Sequence, residues 1–163
     1  MLLATLATLC LALPTHTAVI DTFRAPPCDR CAGNRGLELA TTTGIGVGAA
    51  TNGTVTFAGL VAGRNYVVVR AHADRRLRVT YGGLVSLAVE QGQVVRTGES
   101  VGIAADTLFF GVRIGDRHVD PAPFTRSASA TPLATPTGAA PDTPARPRFR
   151  ITLGIAPARA CAN

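Results

Sequence analysis

Few side chains in this sequence are equipped for chemistry. Its histidines are His16, His72 and His118, and its cysteines are Cys10, Cys28, Cys31 and Cys161. Cys28-Asp29-Arg30-Cys31 has the spacing of half a zinc ribbon, but there is no second pair with which to build a four-cysteine site. Three cysteines joined by His72 or His118 would be another route to a metal. The competing use is a disulfide, the default for cysteines in an oxidising compartment. Cys28, Cys31 and Cys161 are the disulfide candidates, and spacing leaves their pairing open. A bridge from Cys161 back to Cys28 or Cys31 would tie the C-terminal tail to the rest of the chain. Other catalytic signatures are missing: there is no G-x-S-x-G elbow and no phosphate-binding glycine loop. Cys28 and Cys31 lie close enough to oxidise each other, which would remove either as a thiolate nucleophile.

These residues need elements to hold them. Leu2 to Leu13 is an apolar run of signal-sequence length, ended by Pro14, with Ala18 as a small residue suited to precede cleavage. It is too short for a membrane span, which takes about 20 residues. Residues 1–18 therefore read as a signal peptide that includes Cys10, although no basic residue precedes Leu2. Residues 19–32 read as an extended, cysteine-containing lead-in, where Pro26-Pro27 excludes helix. From 33 to 124, short β-branched and aromatic runs alternate with glycine-containing turns. Examples are Thr54-Val55-Thr56-Phe57, Tyr66-Val67-Val68-Val69 and Leu77-Arg78-Val79-Thr80-Tyr81. This pattern predicts a compact all-β sandwich or barrel, with Val55, Phe57, Val67, Val69, Leu108 and Phe110 in its core. Residues 125–147, rich in Ser, Ala, Thr and Pro, read as a flexible linker. Residues 148–163 read as a short strand-like tail carrying Cys161.

Several segments of 33–124 match, in order, the motifs of one family. Asn34-Arg35-Gly36-Leu37-Glu38 lies where that family has H-x-G-x-D. Ala49 to Gly59 is similar to its glycine turn and following strand. Leu77 to Leu84 resembles the segment ending Y-x-H-L. Val89 to Gly102 resembles its V-x-x-G-Q-x-V-x-x-G-x-x-I-G hairpin, and Thr107 to Arg113 falls on H-L-H-F-x-x-R. The domain thus resembles the LytM, or lysostaphin-like, murein metalloendopeptidases, whose compact β-rich hybrid fold it is expected to share.

The resemblance implies a zinc site that this sequence cannot build. Active members hold zinc with three side chains, leaving a fourth position for a water that attacks a peptide bond. The ligand positions fall here on Asn34, Glu38 and Phe109, and the assisting histidine positions on Thr107 and Gly83. Of the ligand positions only Glu38 keeps a good metal donor, so neither a metal nor a catalytic residue is expected. Asn34, Glu38, Tyr81, Thr107 and Phe109 remain as candidates for a binding groove. The expected role is an exported, secreted or envelope-located module that binds peptidoglycan or regulates a wall hydrolase, without cofactor. The alternative is a zinc endopeptidase rebuilt from Glu38 with His72, His118 or a cysteine. A formal charge of +6 favours an anionic wall polymer as partner. No arginine–aromatic interleaving suggests nucleic acid.

Overall fold

The computed structural model describes residues 10–28 and 30–126. The first nine leader residues, nearly all of the 125–147 linker, and the 148–163 tail with Cys161 lie outside the described residues. Within them the chain is all-β. Its strands are β1 (Leu11–Ala12), β2 (Val19–Asp21), β3 (Leu37–Ala40), β4 (Gly46–Gly48), β5 (Gly53–Val61), β6 (Arg64–Ala71), β7 (Leu77–Leu87), β8 (Val94–Val95), β9 (Ser100–Ile114), β10 (Arg117–Val119) and β11 (Thr125–Arg126). One 3-10 turn, Ala122–Phe124, precedes β11.

Nine strands form one antiparallel sheet in the order β2-β3-β9-β7-β6-β5-β8, with β4 and β10 also pairing with β9. Strand β9 is the spine, because its 15 residues reach from β4 at one end to β10 at the other. Alternation along the strands separates two faces. Leu37, Phe110, Tyr81 and Val67 form one cross-strand row, and all are buried. The adjacent row, Glu38, Phe109, Gly82 and Tyr66, belongs to the opposite face.

Of the six predicted core residues, Val55, Val67, Val69, Leu108 and Phe110 are buried, and Phe57 is the exception. A bulge between Val55 and Phe57 pairs them with the consecutive residues Val69 and Val68. The extra residue reverses the parity of β5, so Phe57 turns outward and is 36% exposed.

Within residues 11–18, assigned to the leader by composition, Leu11 and Pro14 are buried, while His16 and Ala18 are exposed. Leu11 is fully buried in the core, and β1 pairs in parallel with β11. The Ala12 N–H donates to the Ala50 carbonyl at 3.0 Å, and Gly48 N–H to the Pro14 carbonyl at 2.9 Å. Cys28 and Cys31 are bonded to each other, which bears out the expectation that these cysteines are oxidised and sets their pairing, left open by the sequence; Cys161 lies outside the described residues. Cys10, read above as a leader residue, is also disulfide-bonded.

Candidate functional site

The surface cleft at the family's catalytic positions arises from a mismatch in strand length. From Gly82 to Leu84 strand β7 advances two residues, while β9 advances five, from Ala104 to Phe109. The surplus β9 residues bow away from β7, and Thr107 pairs instead with Ala40 of β3. An open cleft of about 490 Å³ results, lined by Arg64, Asn65, Gly83, Leu84, Asp106 and Thr107, among others.

Gly83 borders this opening. It lies at φ +79°, and a Cβ built there would sit 2.6 Å from the Thr107 carbonyl oxygen. Both constraints exclude a side chain. The polar lining is held in place. The Asn65 Nδ2 donates to the Leu84 carbonyl at 3.1 Å, an acceptor next to the β7 irregularity. Asp106 Oδ1 accepts from the Thr43 hydroxyl at 2.7 Å. Arg64 and Asp106 bring opposite charges to one cleft, an arrangement suited to a zwitterionic peptide or a polar glycan.

Beside the cleft the other sequence-predicted residues separate. Glu38 is the cross-strand partner of Phe109, and its carboxyl is pushed up from the usual range by burial, opposed by Arg64 and assisted by Asp21. The Phe109 ring lies across Gly36 and Gly111, 2.8 Å from where each Cβ would stand. Tyr66 similarly lays its ring over Gly82. Asn34 is buried, and its amide is already engaged: Nδ2 donates to the Thr22 carbonyl at 3.1 Å and Oδ1 accepts from Gly36 N–H at 3.3 Å.

Tyr81, expected in the groove, is instead fully buried on the core face. Its ring packs against Phe110 with centroids 5.9 Å apart. Its hydroxyl oxygen accepts the Ala50 N–H at 2.6 Å, and burial pushes the phenol far above its usual range. Thr107 and Gly83 line the cleft, Glu38 and Phe109 flank it, Asn34 is structural and Tyr81 is core. Sequence reading missed Arg64, Asn65, Tyr66 and Asp106. The signal available for Tyr66 was its position one residue out of phase with buried Val67.

These residues do not fit a zinc ion. Phe109 has no donor atom, and the Asn34 amide is spent on the backbone. Among the described residues, no three His, Cys, Asp or Glu side chains converge to hold a metal. Cys28 and Cys31 are joined to each other, and the His72 Nε2 is hydrogen-bonded to Thr54 Oγ1 at 2.9 Å. No route through a metal follows from this arrangement.

The family model described as Peptidase family M23 matches residues 32–121, more than half of the 163-residue chain. The chain belongs to Peptidase family M23. It is a degenerate, LytM-like member, as the replaced ligand positions indicate. Helicobacter pylori Csd3 is similar to this M23 chain at a TM-score of 0.64 and 23% identity, over 73% of this chain and 35% of Csd3. The catalytic domain of lysostaphin from Staphylococcus simulans is similar at 0.59 and 20%, over 66% and 91%. A chain of the SpoIIQ–SpoIIIAH pore-forming complex is similar at 0.62 and 22%, over 79% and 100%. At these identities the likeness establishes the fold. This M23 chain spans about a third of the length of Csd3. No curated protein matches it significantly. Among the described residues no helix is long and apolar enough to cross a membrane.

Proposed function

We propose that this M23 chain is an exported, non-catalytic module that binds cell-wall peptidoglycan through the cleft between β7 and β9. The observation that carries the reading is the fate of the ligand positions. Phe109 covers Gly36 and Gly111 with an apolar ring, and Asn34 fastens backbone, while the neighbouring cleft stays open and polar. Loss of chemistry with retention of a shaped cleft is what a binding module requires. Family membership supports the wall as the ligand's source, and the +6 charge suits its anionic surroundings. A partner hydrolase would be recruited or regulated while the module rests on its substrate.

The test is co-sedimentation of the full chain with purified sacculi stripped of anionic polymers. Bound protein should pellet with the sacculi, and Arg64→Ala should weaken binding by about tenfold, the loss of one charge-assisted hydrogen bond. Folded protein that stays in the supernatant, or an Arg64→Ala variant that binds like the parent, would contradict a peptidoglycan cleft here.

A further inference from the structure

The outer face of the sheet, opposite the core, carries a strip of aromatic rings seated on glycines. Phe57 lies against Gly59, its nearest ring atom 3.4 Å from where a Cβ would stand. Tyr66 covers Gly82, and Phe109 covers Gly36 and Gly111. Gly59, Tyr66, Gly82 and Phe109 are successive cross-strand partners from β5 to β9. Phe57 and Gly111 belong to the next row on the same face, linked through Val68 and Thr80. Phe57 is exposed, and Tyr66 and Phe109 are half-buried. A ring laid over a glycine turns one side to the sheet and the other to solvent. We propose that this strip is a polyproline-docking surface whose occupant is residues 141–147 of the same chain. The proposal is independent of what the β7–β9 cleft binds.

The first argument is spacing. Residues 141–147 read Pro-Asp-Thr-Pro-Ala-Arg-Pro, with proline at every third place. A polyproline II helix has three residues per turn and rises about 3.1 Å per residue, so these prolines would fall on one side about 9.3 Å apart. The rings repeat at a matching interval. Phe57 rests on β5 and Tyr66 on β7, two strands away in the sheet, or about 9–10 Å. Phe109 rests between β9 and the residue before β3, one row further along, again about 10 Å from the Tyr66 ring. Proline-rich segments dock on aromatic surfaces because their conformation is largely set before binding, which keeps the entropic cost low.

The second argument is reach and charge. Arg126, where β11 ends, precedes Pro141 by fifteen residues. Drawn out, that length spans about 46 Å, against a radius of gyration of about 13 Å for a domain of this size. The segment can therefore pass round an edge of the sheet to its outer face. Tethering gives it an effective concentration of about millimolar, so a contact too weak to persist between separate molecules is populated within one. Charge sets the direction. Arg146 and Arg148 flank Pro147, and Glu38 is the partner of Phe109 at the β3 end of the strip. Asp142 follows Pro141, and Arg70, two residues beyond Val68 on β6, shares the outer face towards β5. Pro147 then sits over Phe109, Pro144 over Tyr66 and Pro141 over Phe57.

The experiment is solution NMR of the full-length oxidised protein. Nuclear Overhauser contacts from the Tyr66 and Phe109 rings to Pro144 and Pro147 are expected, undiminished on dilution. Contacts found only between labelled and unlabelled chains would overturn docking within the chain in favour of a second copy. Pro141→Ala/Pro144→Ala/Pro147→Ala should shift the ring resonances of Phe57, Tyr66 and Phe109, while those of Tyr81 and Phe110 on the core face stay put and report an intact fold. A synthetic peptide of residues 140–148, added to that variant, should return the shifted resonances saturably. Tyr66→Leu on the same background should weaken the peptide about fivefold, the loss of one ring contact. Pro132→Ala/Pro136→Ala changes prolines spaced four apart and should leave the strip unchanged. Peptide shifts centred on Asp106 and Thr107 would place the segment in the β7–β9 cleft and overturn the strip as its site. The absence of ring–proline contacts in the parent, or equal shifts from the two proline variants, would overturn the proposal.

Discussion

Placing a histidine at the assisting position, Gly83→His, is expected to cost about 3 kcal/mol or more of folding stability. Two effects add at this residue. Its φ of +79° is a left-handed conformation that side chains resist, and its Cβ would lie 2.6 Å from the Thr107 carbonyl oxygen. The opposing atom is backbone, fixed by the pairing of Thr107 with Ala40, so it cannot swing aside as a side chain would. Gly92 separates the two effects. Its φ is +92°, but no atom lies within 4 Å of its would-be Cβ. Gly92→Ala should therefore show only the conformational penalty, about 1–2 kcal/mol. Urea denaturation of Gly83→Ala and Gly92→Ala gives the comparison, with Gly83→Ala expected to be the more damaging. Equal losses would show that the bowed segment of β9 yields easily. The cleft would then not be locked against a histidine.

Leu11→Ala is expected to destabilise the domain by about 2–5 kcal/mol, the range for truncating a buried leucine. Leu11 is fully buried, and β1 is connected to the core through a short relay. Ala12 N–H donates to Ala50, whose own N–H donates to the Tyr81 hydroxyl oxygen. Removing the Leu11 side chain leaves a cavity beside this relay that a two-residue strand is poorly able to close. The measurement is equilibrium unfolding in urea with an unchanged m-value. A loss below about 0.5 kcal/mol, the scale of a neutral surface change, would mean that β1 is dispensable to the fold.

The leader question shows where sequence reading runs out. An apolar run of this length serves equally as an export signal or as a buried strand, because composition carries no record of what covers it. The burial of Leu11 depends on neighbours in space that composition does not show. Period-two alternation was more informative. It placed Val67, Val69, Leu108 and Phe110 on the core face, and the structure has them buried. It failed where a bulge changed the parity. Phe57 follows one such bulge and faces outward.

Tyr81 is displaced from the candidate groove by the same mechanism. In a regular strand Tyr81 and Gly83 would share a face, so a motif placing them two residues apart suggested a common groove. The β7 irregularity between Gly82 and Leu84 breaks that relation. Tyr81 enters the core while Gly83 borders the cleft. The ligand replacements themselves were legible because they concern residue type alone. A phenylalanine side chain has no atom that can bind zinc, wherever the chain places it. Arg64 and Asp106 were not legible, since their convergence depends on β9 running five residues where β7 runs two.

Loss of metal chemistry in this M23 domain is read from bound metal and peptide release in the same sample. Full-length protein, purified after exposure to excess zinc, is assayed together for bound metal and for release of peptides from cross-linked muropeptides. An active member of the family serves as the control. Zinc well below one ion per chain and no peptide release are expected, because Phe109 and Asn34 supply neither a ligand set nor an open coordination position. One tightly held zinc per chain, with peptide release abolished by a chelator and restored by zinc, would contradict it.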